Sequence, residues 1–201
     1  MTKTYIFDLG NVLFKFSSDH LTSVYVQDPD DLRAVSDIMF SRFYWDRLDR
    51  GTITDEELKA DALPRLPERL REKAALAYDH WPENLEEMPG IREIVTELKA
   101  QGHPLYVLSD ISIGFAEKYR DVPAIRSMFD LFDGLVFSGP IHMVKPSREI
   151  FEHLLTKYGQ KAEDCTFIDD NPLNIAGCEA VGIRGYRFDG DAEKLRRYIF
   201  G

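Results

Sequence analysis

Residues 4–14 read Thr-Tyr-Ile-Phe-Asp-Leu-Gly-Asn-Val-Leu-Phe. Tyr5, Ile6 and Phe7 form a short apolar run of aromatic and β-branched side chains, the pattern of a buried strand. The strand ends on a carboxylate, Asp8. Gly10 and Asn11 follow, two residues that tolerate the dihedrals of a tight loop and let backbone approach a ligand closely. In an open parallel sheet, ligands bind in the crevice beyond the carboxyl ends of the strands. A carboxylate there can hold a metal or act as a nucleophile. In a solvated turn after an edge strand it would do neither.

Outward from this stretch the pattern turns helical after Phe16. Ser17, Ser18 and Asp19 are cap-type residues ahead of a helix over 20–26, and Asp28-Pro29 opens a second helix running to about Phe40. An aromatic-rich segment over 41–49 ends at Gly51, Thr54 and Glu57 resemble a capping box ahead of 58–63, and 68–80 is helical again. No strand pattern occurs in 15–88. From Pro89 onward strands and helices alternate. Strands are predicted at 105–108, 134–137, 166–168 and 183–188, and helices at 91–100, 113–119, 122–129, 147–158, 172–181 and 191–199. Residues 138–144 are expected to be a loop leading to Lys145-Pro146, with Lys145 starting the next helix. Five strands alternating with helices predict an α/β fold, a parallel sheet wrapped on both faces as a three-layer sandwich. The helical stretch lies between the first two strands. The chain therefore divides into an α/β core, 1–14 plus 89–201, and an inserted helical cap, 15–88.

The composition excludes several function classes. A formal net charge of −10 over 201 residues repels a nucleic-acid backbone. No apolar run approaches the length of a membrane span, and the first residues enter a strand with no signal-peptide pattern. Cys165 and Cys178 make no disulfide framework, so a reducing, cytoplasmic setting is expected.

The polar residues of this layout gather at strand ends. The first strand ends in Asp8, the second in Ser109-Asp110 and the fourth in Asp169-Asp170, while Lys145 follows the third. Parallel strands bring these ends to one sheet edge. The carboxylates there suit a hard cation such as Mg²⁺, and cation and lysine together would attract a phosphate dianion. The expected partner is a small phosphorylated metabolite.

Four blocks now resemble the four motifs of the haloacid dehalogenase (HAD) superfamily: Phe7-Asp8-Leu9-Gly10-Asn11-Val12, Val107-Leu108-Ser109-Asp110, Lys145-Pro146 and Phe167-Ile168-Asp169-Asp170-Asn171. The helical insertion is similar to the family's C1-type cap. The Asp-Leu-Gly-Asn-Val form and the Lys-Pro-Ser block look most like the bacterial α-D-glucose-1-phosphate phosphatase branch. The resemblance implies that Asp8 is the nucleophile, giving an aspartyl-phosphate, and also a Mg²⁺ ligand. The Gly10 carbonyl and Asp170 would complete the metal set, with Asp169 behind them orienting Lys145 or a metal-bound water. Ser109 and nearby amides would hold phosphate oxygens, with Leu9, Gly10, Asn11 and Asp110 around the phosphoryl group. Lys145 would neutralise the approach of two anions.

Two departures from that pattern matter. Many family phosphatases carry an aspartate two residues after the nucleophile as general acid and base, and here Gly10 stands there. Losing such a group costs about 10²–10⁴ in rate. Asp110 stands where asparagine is more usual. It would either weaken phosphate binding, make hydrogen bonds, or serve as a replacement acid if its pKa is raised. Without an acid at Gly10, good leaving groups such as sugar 1-phosphates are favoured. His20 is a further candidate proton donor from the cap.

The remaining polar and aromatic residues have blander readings. Phe40, Phe43, Tyr44 and Trp45 could stack on a sugar, although at helical spacing such groups are more often core. Arg47, Arg50 and His142 could reach substrate, but solvated roles are commoner for such residues. The rival chemistries are a 2-haloacid dehalogenase, which needs no metal, and a weakened phosphate-binding protein in which Gly10 marks decay.

Overall fold

The computed structural model describes residues 3–201. Its strands and helices, in chain order, are β1 (Thr4–Phe7), β2 (Phe14–Lys15), α1 (Ser18–Ser23), α2 (Pro29–Met39), α3 (Arg42–Asp49), α4 (Asp55–Ala62), α5 (Glu68–Asp79), β3 (Glu86–Glu87), α6 (Ile91–Ala100), β4 (Leu105–Ser109), α7 (Ile113–Lys118), α8 (Pro123–Phe129), β5 (Gly134–Phe137), α9 (Ser138–Ile141), α10 (Arg148–Tyr158), β6 (Cys165–Asp169), α11 (Pro172–Glu179), β7 (Arg184–Arg187) and α12 (Ala192–Phe200).

Five strands form a sheet in the order β5-β4-β1-β6-β7, and every neighbouring pair is parallel. β1 is central because all four of its side chains can be buried. Period-two alternation then sorts those side chains between two layers. Tyr5 and Phe7 join the core formed with α6, α8 and α12, while Ile6 joins the opposite core, built on Ile150, Phe151 and Leu154 of α10. The result is the α/β sandwich predicted from the strand–helix alternation. After β1 the next two sheet strands, β4 and β5, extend the sheet on one side, and β6 and β7 extend it on the other. That reversal beside β1 opens a crevice at the carboxyl edge.

Helices α1–α5 follow β1 and pack onto the first of these cores through residues such as Leu21, Met39, Tyr44, Leu58 and Leu70. Their ends carry the expected signals. Asp28 Oδ1 accepts from the amides of Asp30 and Asp31, and Thr54 and Glu57 make the reciprocal capping box.

Three details differ from the sequence reading. The 15–88 stretch is not purely helical, because β2 and β3 pair antiparallel, Phe14 with Glu87 and Lys15 with Glu86, where the chain leaves and rejoins the sheet layer. Two-residue strands are too short to show an alternation. Ser138–Ile141 is one helical turn rather than loop. Finally, α10 starts at Arg148, so Lys145 lies in the loop before it.

Candidate active site

The loop after β1 is held by its own backbone. Asp8 N donates to Ile168 O at 2.9 Å, which keeps the strand end tied to β6. Leu13 N and Phe14 N both donate to Leu9 O at 3.0 Å, folding residues 9–14 into a tight turn. The turn's left-handed residue is Asn11, at φ +55°. Asparagine accepts that conformation, and its side chain braces the turn: Oδ1 accepts from Phe16 N at 3.0 Å, and Nδ2 donates to Asp170 Oδ2 at 3.3 Å. Gly10 is not left-handed, and a Cβ built on it would meet only Phe16 Cβ, at 3.9 Å. Of the two residues read as tolerating loop dihedrals, only Asn11 takes the left-handed one, and the backbone leaves room for a side chain at Gly10.

Register brings the strand ends together. Phe7 pairs with Val107 and with Ile168, so Asp8 stands level with the ends of β4 and β6. Lys145 Nζ reaches across them, 2.7 Å from Asp8 Oδ1 and 2.9 Å from Asp169 Oδ2. All three residues are buried. Asp169 is saturated: besides Lys145 it accepts from Asn174 Nδ2 at 3.1 and 3.0 Å and from Asn171 N at 2.8 Å. Burial alone would lower the Lys145 pKa, but the carboxylates of Asp8, Asp169 and Asp110 outweigh it and hold the ammonium above its ordinary range. Burial pushes the Asp8 carboxyl upward, and Lys145 pulls against it. Asp110 Oδ1 accepts from Lys145 N at 3.0 Å and so fixes the lysine's backbone. Ser109 is buried beside it, its Oγ 3.4 Å from Asp110 O.

Asp8, Asp169 and Asp170 can bring one carboxylate oxygen each within 4.8 Å of one another. Asp169 is already committed to three donors through four hydrogen bonds, which leaves Asp8 and Asp170. The Gly10 carbonyl accepts no hydrogen bond among the described residues, so it is free to join them. An all-oxygen donor set of two carboxylates and a carbonyl fits a hard divalent cation. Burial and the neighbouring Asp169 charge raise the Asp170 pKa, the repulsion that a cation would relieve.

These groups face a cavity of about 450 Å³ between the sheet edge, α3 and the segment holding Trp81 and Leu85. Asp8, Leu9, Gly10, Asn11, Ser109, Asp110, Lys145 and Asp170 all line it. Asp169 lies behind them. The far wall is aromatic, with Phe16, Trp45 and Trp81 in edge-to-face contact. Trp45 Nε1 is buried there without a partner among the described residues.

Several candidates lie elsewhere. His20 is exposed, 3.7 Å from Glu86, and does not line the cavity. Arg47 lies over the ring of exposed Phe43, and Phe40 and Tyr44 are core. His142 Nδ1 is 2.9 Å from Arg50 O, outside the cavity. Sequence reading missed Arg42, Asp49, Trp81 and Asn174. For Arg42 and Asp49 a signal was present: with Trp45 they fall at i, i+3 and i+7, one face of α3.

The family model for a haloacid dehalogenase-like hydrolase matches residues 2–182. The sesquiterpene phosphatase astK of Aspergillus oryzae is 27% identical over 186 residues, covering 91% of this chain and 88% of that protein. The pyrophosphatase PpaX of Bacillus cereus is 27% identical over 107 residues, 53% of this chain and 48% of its own length. Among solved structures, a HAD family enzyme of Bacteroides thetaiotaomicron in a magnesium complex superposes with a TM-score of 0.72 at 19% identity, covering 98% of each chain. With its motif residues gathered on one sheet edge and the family model spanning most of its length, the chain belongs to the haloacid dehalogenase-like hydrolases.

Proposed function

We propose that this enzyme is a Mg²⁺-dependent phosphomonoesterase acting on a small organic phosphate, with a sugar 1-phosphate as the favoured class. The observation that carries the reading is Lys145, held between Asp8 and Asp169 at the strand ends beside Asp170. A buried cation over a reactive carboxylate offsets the repulsion between that carboxylate and a phosphate dianion. Asp8 is the nucleophile and forms an aspartyl-phosphate, which water then hydrolyses. Ser109 and the amides of Leu9, Gly10 and Asn11 hold the phosphoryl oxygens. Asp110 and Asp169 position Lys145 from its backbone and its ammonium respectively. Asp8, Asp170 and the Gly10 carbonyl would hold Mg²⁺, which when bound neutralises phosphate charge and aligns the phosphoryl group. The names of two relatives, both phosphatases, support phosphate chemistry.

In this reading residues 15–88 are a cap over a core of 1–14 plus 89–201, and the cap face chooses the substrate. Trp45, Trp81 and Phe16 offer flat rings to a sugar face, and the unpartnered Trp45 indole N–H offers a donor to a hydroxyl. The same wall suits a second class, an apolar organic phosphate, and the sesquiterpene phosphatase relative favours including it. The acidic surface disfavours nucleic acid, and two unpaired buried cysteines fit a reducing compartment such as the cytoplasm.

A panel of sugar 1-phosphates, sugar 6-phosphates and prenyl phosphates, assayed with Mg²⁺ and with Asp8→Asn as blank, tests the assignment. We expect phosphate release that EDTA abolishes, with sugar 1-phosphates turned over fastest. Chloride release from chloroacetate without metal would instead identify a dehalogenase. Faster turnover of 6-phosphates would remove the sugar 1-phosphate assignment.

A further inference from the structure

The nucleophile loop carries no proton donor, since Gly10 has no side chain, and the nearby acids are engaged. Asp169 accepts from Lys145, Asn174 and Asn171, and Asp110 Oδ1 accepts from the Lys145 amide. Asp170 belongs to the oxygen set that fits a cation. Across the cavity the last residue of α3 differs from all of these. Asp49 lines the same cavity as Asp8 and Lys145, and its Oδ1 is buried with no hydrogen-bond partner among the described residues. Leaving such an oxygen unpaired costs a folded chain free energy. Its place on a ligand cavity points to a partner that arrives with substrate.

We propose that Asp49 is the general acid and base of this active site, taking over from the opposite wall the task that Gly10 cannot perform. The proposal rests on the phosphatase reading above and deepens it. In the first step an Asp8 oxygen forms a bond to phosphorus. The bond from phosphorus to the leaving oxygen breaks, and its electron pair stays on that oxygen. The leaving oxygen takes the proton of the Asp49 carboxyl and departs as the alcohol, leaving Asp49 ionised. In the second step the Asp49 carboxylate removes a proton from water as the water oxygen bonds to phosphorus. The bond from phosphorus to the Asp8 oxygen breaks, Asp8 regains its carboxylate, and phosphate leaves with Asp49 protonated again.

The surroundings of Asp49 suit a group that must hold and release a proton. Asp110 faces it from the end of β4, Lys145 from the loop before α10, and Arg42 and Asp46 from α3 itself. Burial pushes its carboxyl up to about 7, with Asp110 adding and Arg42 and Lys145 opposing, so both forms are populated near neutrality. The residue is also held in position. His142 Nδ1 donates to Arg50 O at 2.9 Å, and Gly51, at φ +63°, packs so closely that a Cβ there would lie 2.3 Å from Gly139 O. These contacts pin the end of α3 to the α9 turn after β5. With an acid supplied here, less activated esters come within reach beside sugar 1-phosphates, and the aromatic wall shares in the choice of substrate.

The test is kcat/KM on a leaving-group series of p-nitrophenyl, phenyl and simple alkyl phosphates at saturating Mg²⁺. We expect Asp49→Asn to lose about 10²–10⁴-fold on the alkyl ester and less than about tenfold on the p-nitrophenyl ester. In the wild type, kcat/KM on the alkyl ester falls as pH rises through about 7, because the first step needs protonated Asp49. That limb is absent with p-nitrophenyl phosphate and absent in the variant. Adding Gly10→Asp to Asp49→Asn should restore alkyl turnover, since the nearest contact to a Cβ there is an ordinary 3.9 Å. Equal losses on all three esters, or unchanged alkyl turnover, would overturn the role of Asp49 and leave the phosphatase reading standing. A wild-type alkyl profile without the limb overturns it with no variant needed. A wild type no more active than Asp8→Asn on any ester would sink both.

Discussion

Lys145 and Asp169 are the pair on which the site is built. Asp169 is fully buried, and removing its carboxyl leaves the Lys145 ammonium with Asp8 alone and two asparagine donors unpaired. Breaking a buried pair of this kind costs about 3–5 kcal/mol. Asp169→Ala should therefore lower stability by that amount in a urea titration, and lose activity as the lysine shifts. Asp169→Leu combined with Lys145→Met should cost less than the sum of the two single changes, because no orphaned charge is left behind. At this scale Asp8, Ser109, Lys145, Asp169 and Asp170 were legible in sequence, because each follows or ends a strand whose direction is set by the βα alternation. Asp49 was not. Its i+7 spacing from Arg42 puts it on one face of α3, but only the docking of α3 onto the sheet edge shows that this face looks onto the cavity. Gly10 and Asn11 both read as tolerant of loop dihedrals, and a glycine beside an asparagine does not show which of the two takes the positive φ.

The element that decides the cavity is α3. Arg42, Trp45 and Asp49 point one face of it at the strand ends, while Tyr44 and Leu48 bury the other. Its far end is set by Gly51, where a side chain would strain a left-handed backbone by about 1–2 kcal/mol and clash with Gly139 O. Gly51→Ala should then displace the end of α3, and a misplacement near 1 Å is enough to cost about 10²-fold in kcat/KM. We expect that activity loss to exceed the loss expected from the drop in melting temperature alone, and comparing the two measurements on one preparation checks it. The β2–β3 ladder and the α9 turn escaped sequence reading for one reason. Pieces of two to four residues carry too few side chains to express a period, and their pairing is dictated by where the chain crosses between layers.

At the scale of the whole molecule, the apolar core is continuous from Tyr5 and Phe7 of β1 through Leu98 of α6 to Met39, Leu58 and Leu70 of the inserted helices. The insertion was legible as a separate stretch of sequence, but its shared core was not, because contacts between distant residues leave no local pattern. A shared core predicts joint unfolding. Helix content measured by circular dichroism and protection of the β1 amides measured by hydrogen exchange should be lost at the same urea concentration. Two separated transitions would show that the inserted helices hold themselves together independently.

The aromatic wall carries a practical consequence of its own. The chain has two tryptophans, and both Trp45 and Trp81 line the cavity that holds Asp8 and Lys145. All of the protein's indole emission therefore originates in the wall of the proposed phosphoryl site. Intrinsic fluorescence becomes a label-free optical readout of occupancy, able to follow phosphate, vanadate or a substrate entering the cavity on a stopped-flow timescale, before any product is released.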